Sequence, residues 1–188
     1  MKVDDSGMPE EAYWNSLFDI DAIVEWLLIS KAALVAEIGC GYGTFTVPVA
    51  KKTTGKVYAF DIETAMLEVA WENVRNAGLS NVIFSQRDVL EQGTGLASGS
   101  VDLVLLFNIL HSSERRVFLA EAARILKSGG VLAIIHWRKD APTPRGPAVE
   151  LRPDQQQILA AAEGLNFHFD GNDRILKPYH WGIQMVKI

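Results

Sequence analysis

Five apolar runs punctuate the chain. Leu34 to Ile38 is interrupted only by Glu37, and Val57 to Phe60, Val82 to Phe84, Val101 to Phe107 and Val131 to Ile135 follow. Runs that are apolar at consecutive positions suit parallel strands covered on both faces. Between them the period changes. Met66, Val69, Ala70, Val74 and Ala77 recur at helical spacing before Gly78, and Phe118, Ala122 and Leu126 recur every four residues before Gly129-Gly130. Leu17, Ile20, Val24, Leu27 and Leu28 predict one amphipathic helix ahead of the first strand. Strand and helix alternate, which predicts an α/β fold: a doubly wound, mostly parallel sheet with helices on both faces. The tail departs from this rhythm. Pro153 to Glu163 reads as a helix ended by Gly164. Leu165 to Phe169 and Trp181 to Ile188 then read as strands joined by a short turn around Gly171-Asn172-Asp173, so they pair antiparallel.

The 188 residues predict one domain spanning 1–188. Within it, 8–30 is a cap helix, 33–138 a ligand-binding core, 139–152 a loop rich in proline, and 153–188 the C-terminal helix and strand pair. A net charge of −5 disfavours a nucleic-acid face, which needs a basic surplus. One cysteine cannot close an internal disulfide or build a Cys-rich metal site. The polar start carries no signal-peptide core, and no apolar run is long enough for a bilayer. A cytoplasmic protein without membrane contact is the expectation.

The segment Glu37-Ile38-Gly39-Cys40-Gly41-Tyr42-Gly43-Thr44 runs from a buried strand into alternating glycines. Glycines there permit a tight turn and let a ligand lie against bare backbone. A dinucleotide fingerprint needs glycine where Thr44 stands, and a phosphate-binding P-loop needs a Gly-Lys-Ser/Thr triplet that is absent. Asp61 ends the next strand, where its carboxylate can accept from two ribose hydroxyls or can cap the following helix.

This ordered set resembles class I S-adenosylmethionine-dependent methyltransferases. Glu37 to Gly43 matches their first motif. Asp61 matches the ribose-binding acid. Asp88 stands where the family places an acid near the adenine amino group, with Val89 beside it. Asp102 to Asn108 is similar to the fourth-strand motif. Leu126-Lys127-Ser128-Gly129-Gly130 is similar to a Leu-Lys-Pro-Gly-Gly turn, with Ser128 replacing proline. The resemblance implies seven strands in the order 3-2-1-4-5-7-6, the last antiparallel. It implies S-adenosylmethionine as cofactor and S-adenosylhomocysteine as product. It places Glu37, Gly39, Cys40, Gly41, Gly43, Asp61, Ile62, Asp88, Val89 and Asn108 around the cofactor. No His, Asp or Glu cluster has metal-ligand spacing, so no bound metal is expected.

On the acceptor side, His111 and His136 are candidate bases near neutral pH. Arg145, in Pro142-Thr143-Pro144-Arg145-Gly146-Pro147, has a guanidinium suited to an anionic acceptor. Tyr13, Trp14 and Trp137 are candidate substrate contacts. Asn108-Ile109-Leu110-His111 lacks the Pro-Pro-aromatic sequence of methyltransferases that act on DNA bases, and one cysteine excludes the arsenite methyltransferases. The expected activity is methyl transfer to a small molecule. A non-catalytic cofactor-binding module and a dinucleotide enzyme are the alternatives.

Overall fold

The computed structural model describes residues 8–188. The apolar runs become β1 (Val35–Ile38), β2 (Val57–Asp61), β3 (Val82–Gln86), β4 (Val101–Phe107) and β5 (Leu126–Trp137), all parallel. β1 is buried along its whole length and β4 everywhere but Asp102, as strands covered on both faces require. On one face Leu106, Leu132 and Ile134 pack with Leu119 of α6 (Arg115–Ile125) and Ile158 of α7 (Gln155–Ala161). On the other, Leu105 and Ile135 pack with Val24 of α2 (Ile20–Trp26) and Val49 of α3 (Thr46–Lys52). Two further helices, α4 (Thr64–Asn76) and α5 (Val89–Gln92), follow β2 and β3.

The strand order is β3-β2-β1-β4-β5-β8-β6, with β7 also paired to β8 (His180–Lys187). The sheet has eight strands where seven were expected. The sixth strand is broken into β6 (Phe167–His168) and β7 (Asp173–Leu176), and both pair antiparallel with β8. The break is made by Gly171 at φ +89° and by the Asn172 N–H, which donates to the Asp170 carboxylate. The Gly171-Asn172-Asp173 turn therefore joins β6 to β7, and the hairpin into β8 turns at Lys177-Pro178-Tyr179.

Two other expectations are corrected. Residues 8–30 form α1 (Glu11–Asn15) and α2, not one helix. Phe18 makes a bridge with Pro178, and the Asp19 carboxylate accepts from Ala22 N–H to start α2 afresh. Leu126 lies in β5 and not in the helix before it. It pairs with Val101, the next pair is Leu103 with Val131, and Lys127 to Gly130 bulge outward between. The Lys127 ammonium closes this bulge on the Asp102 carboxylate at 2.7 Å. Among the described residues no helix is long and apolar enough to cross a membrane.

Strand order reverses between β1 and β4, so the carboxyl ends of these strands flank the crevice where open α/β sheets hold their ligands. Gly39 to Gly43 leave β1 on one side of it, and Asn108 leaves β4 on the other.

Candidate functional site

The glycine turn is held from below by β2. Gly39 N–H and Cys40 N–H both donate to Phe60 C=O, and Gly41 N–H donates to the Asp61 carboxylate at 2.8 Å. Gly39, Gly41 and Gly43 all have positive φ, a region that side chains strain to enter. At Gly39 a Cβ would also lie 2.7 Å from Ile109 Cγ2, so β1's turn and the segment after β4 meet there without room for a side chain. The other Asp61 oxygen accepts from Glu63 N–H at 3.0 Å, at the entrance to α4. Burial raises the Asp61 carboxyl's pKa, and the N–H groups of Glu63 and Gly41 draw it back.

Glu37 points beneath this turn, 2% exposed, and its carboxyl accepts from Thr46 O–H at 2.5 Å. Burial, only partly offset by Thr46, pushes its pKa up to about 8, with Asp61 adding repulsion. Cys40 is buried and its thiol is pushed up by the same burial and the nearby acids, which leaves it inert as a nucleophile. Asp88 caps α5 by accepting from Leu90 N–H, Val89 sits in the core, and Ile62 C=O accepts from the Gln86 amide.

The acceptor-side residues separate by sheet face. The His111 and His136 rings are 5.8 Å apart. His136 lies next to Trp181, on the face that Leu132 and Ile134 share with α6. It is fully buried, and neither ring nitrogen has a hydrogen-bond partner among the described residues. Burial, then the neighbouring His111, holds its pKa well below the usual histidine value, so it is neutral. On the opposite face Asn108, at φ +58°, places its amide nitrogen 3.4 Å from His180 Nε2. His180 is fully buried, stacked on Phe18 at 4.5 Å, and held down to about 3 by burial and then by the Arg152 charge. From the sequence His180 reads as a structural residue of the tail. Only the β5–β8 register, which sets it opposite Trp137, brings it to the site.

Two coverings meet over this edge. Met8 Cε comes within 3.4 Å of the place a Cβ would occupy on Gly41. Pro9 C=O accepts from Tyr42 O–H, Glu11 accepts from the Asn73 amide, and Asn15 accepts from Thr44 O–H, each at 2.7 Å. Trp14 on α1 packs edge-on to Trp137 at 6.2 Å, whereas Tyr13 turns outward, 42% exposed. From the other side the proline loop lies on Trp137. Arg152 donates to the carbonyls of Pro147, Arg138 and Arg145 and sits 5.9 Å over the indole. Arg145 is half-buried, near enough to Tyr42 for its charge to be felt there, and its side chain has no hydrogen bond or ion pair among the described residues. Gly146 has φ +113°, and a Cβ there would stand 2.9 Å from the rigid indole. Gly146→Ala is therefore expected to lift the loop and cost about 1–2 kcal/mol, a melting shift of roughly 2–8 °C. S-adenosylhomocysteine affinity should stay within about twofold. A calorimetric melt with a ligand titration checks both. Among the described residues no group of three His, Cys, Asp or Glu side chains could hold a metal ion.

The family profile described as "Methyltransferase domain" matches residues 36–134, the span from β1 into β5. The chain belongs to this methyltransferase domain family. A solved S-adenosylmethionine-dependent methyltransferase from Aquifex aeolicus superposes with a TM-score of 0.82 at 26% identity, covering 95% of this chain and 94% of that one. Methyltransferase GfsG of Streptomyces halstedii is 32% identical over 116 residues, which are 61% of this chain and 41% of that protein. The 23S rRNA (uracil(1939)-C(5))-methyltransferase RlmD of Alcanivorax borkumensis is 28% identical over 133 residues, covering 63% of this chain and 30% of its own length. The methyltransferase domain thus spans less than half the length of these two curated relatives.

Proposed function

We propose that this methyltransferase domain transfers a methyl group from S-adenosylmethionine to a small organic acceptor. The observation that carries the reading is the Asp61 carboxylate, fixed by Gly41 and Glu63 N–H at the carboxyl end of β2, beside the glycine turn that leaves β1. Two N–H bonds leave lone pairs on both oxygens, enough to accept from a pair of ribose hydroxyls. The three glycines fit the cofactor because they give it bare backbone at the point where strand order reverses. When bound, S-adenosylmethionine supplies a methyl group already activated by its sulfonium charge.

The chain's own residues then need chiefly to align the acceptor, and positioning of this kind is worth about 7–11 kcal/mol. The residues around the crevice would hold the acceptor's lone pair in line with the methyl group that the cofactor would supply. Any proton the acceptor loses passes to a base. His111 is the residue suited to that, half-exposed at the rim, with His136 neutral behind it. Trp14, Trp137 and the proline loop supply the covering that keeps water from the transfer. The net charge of −5 favours a small molecule over the rRNA that one relative methylates.

S-adenosylmethionine and S-adenosylhomocysteine are each expected to bind with a Kd of about micromolar order, read by isothermal titration. No heat and no thermal shift at millimolar ligand would end this reading. Binding without transfer to any acceptor would favour the non-catalytic module.

A further inference from the structure

Arg152 is a buried cation with no carboxylate bonded to it among the described residues. It is 6% exposed, under the proline loop rather than deep in the core, and none of its partners is a carboxylate. Buried charges are ordinarily paired. The acid whose charge is felt at Arg152 is Glu150, which is itself exposed. Its three carbonyl bonds leave two of the five guanidinium N–H groups to spare. The carbonyls explain how Arg152 clips the loop shut. They bring no negative charge to it, and the two histidines beside it carry none either.

Polar atoms in the same quarter are also unmet. Asn108 Oδ1 and His180 Nδ1 are buried, and neither has a partner among the described residues. An orphaned buried polar atom calls for an explanation, and a ligand supplies one. Arg145, whose C=O accepts from Arg152, brings a second guanidinium with no partner among the described residues. Trp14 and Trp137, packed edge-on to each other, put aromatic surface beside these groups. On the methyltransferase reading above, we propose that Arg152 and Arg145 form a subsite for an oxyanion, carboxylate or phosphate, on an acceptor with an apolar body. With Nε2 taking the Asn108 amide N–H, His180 carries its proton on Nδ1 and donates the remaining contact to the oxyanion, and Asn108 Oδ1 accepts from a donor elsewhere on the acceptor. Arg152 is the fork that recognises the oxyanion, and Arg145 adds charge at the rim.

The test uses the full chain, with and without saturating S-adenosylhomocysteine, titrated with benzoate, phenyl phosphate and the neutral benzamide. At least one anion is expected to bind at least about tenfold more tightly than benzamide. Which of the two it is distinguishes carboxylate from phosphate. Arg152→Met should erase that preference and leave S-adenosylhomocysteine affinity unchanged, and Arg145→Met should weaken it a few-fold. No preference in the native protein, or one that survives Arg152→Met, overturns the subsite. If Arg152→Met fails to fold, Arg152→Lys decides: it keeps the charge and loses the fork, so undiminished anion affinity counts against the proposal. Failure of S-adenosylhomocysteine to bind the native protein strikes the methyltransferase reading instead, and the titration without it still reads the anion preference.

Discussion

Asp61→Ala is expected to weaken S-adenosylhomocysteine binding by about 30-fold to 1,000-fold, the loss of roughly 2–4 kcal/mol from two charge-assisted hydrogen bonds to ribose. The structure adds a second consequence. The same carboxylate accepts from Gly41 N–H at 2.8 Å and from Glu63 N–H at 3.0 Å. Its removal takes one of the three bonds that tie the glycine turn to β2, leaving those of Gly39 and Cys40 to Phe60, and takes the first bond from the entrance of α4. Ribose binding and helix entry are thus two uses of one side chain, and the melting temperature should fall with the affinity, by a few degrees for about 1 kcal/mol. Asp61→Asn keeps the volume but turns an amide N–H₂ toward one of the two N–H donors, so it should not restore binding. Calorimetric titration beside a thermal melt separates the effects. A lowered melting temperature with undiminished affinity would leave Asp61 only its structural role.

The parallel half of the sheet was legible because burial on both faces leaves a continuous apolar run in each of β1 and β4. The antiparallel edge was not. β7 is exposed at Asp173, Arg174 and Ile175, so it carries no such run, while the turn residues just before it are conspicuous. A polar turn reads the same whether it reverses a chain or kinks an edge strand, and here it does the second. The glycine turn and Asp61 were legible for the opposite reason: neighbours in sequence supply the whole arrangement, and β1 and β2 adjoin. The acceptor side depends on register. His136 and Trp137 are adjacent in sequence and face opposite sides of β5, one toward Trp181 and the other toward Phe18. Arg152 and His180 reach the site only through a loop's path and the β5–β8 pairing. Periodicity along the chain contains neither.

Acidification should destabilise this fold through His180. Its pKa is held to about 3, against an ordinary histidine value of 6.5, by burial and by the Arg152 charge. Between those values the unfolded chain binds a proton there and the native chain does not. Stability then falls as pH drops below 6.5, by about 1.4 kcal/mol per pH unit, and the loss is complete only below pH 3. From pH 6.5 to 4 this amounts to about 3–4 kcal/mol, a large share of a typical domain's stability. His136, also held low, acts in the same direction. Glu37 opposes them: its carboxyl keeps its proton up to about 8 when folded, so its contribution is whole below the ordinary carboxyl value of 4.5 and is lost as pH rises through about 8. A bare pH profile therefore mixes these groups with the shifted carboxyls of Asp61, Asp102 and Glu121, and the difference between two proteins isolates one. His180→Gln removes the titration and keeps an acceptor for the Asn108 amide. Urea unfolding of the native chain and this variant should show a constant stability difference above pH 7. Below pH 6.5 that difference should move in the variant's favour by about 3–4 kcal/mol on reaching pH 4. A difference that stays flat over that range would mean that the protonated imidazole is accommodated in the native fold. His180 would then be no buried neutral partner of Asn108.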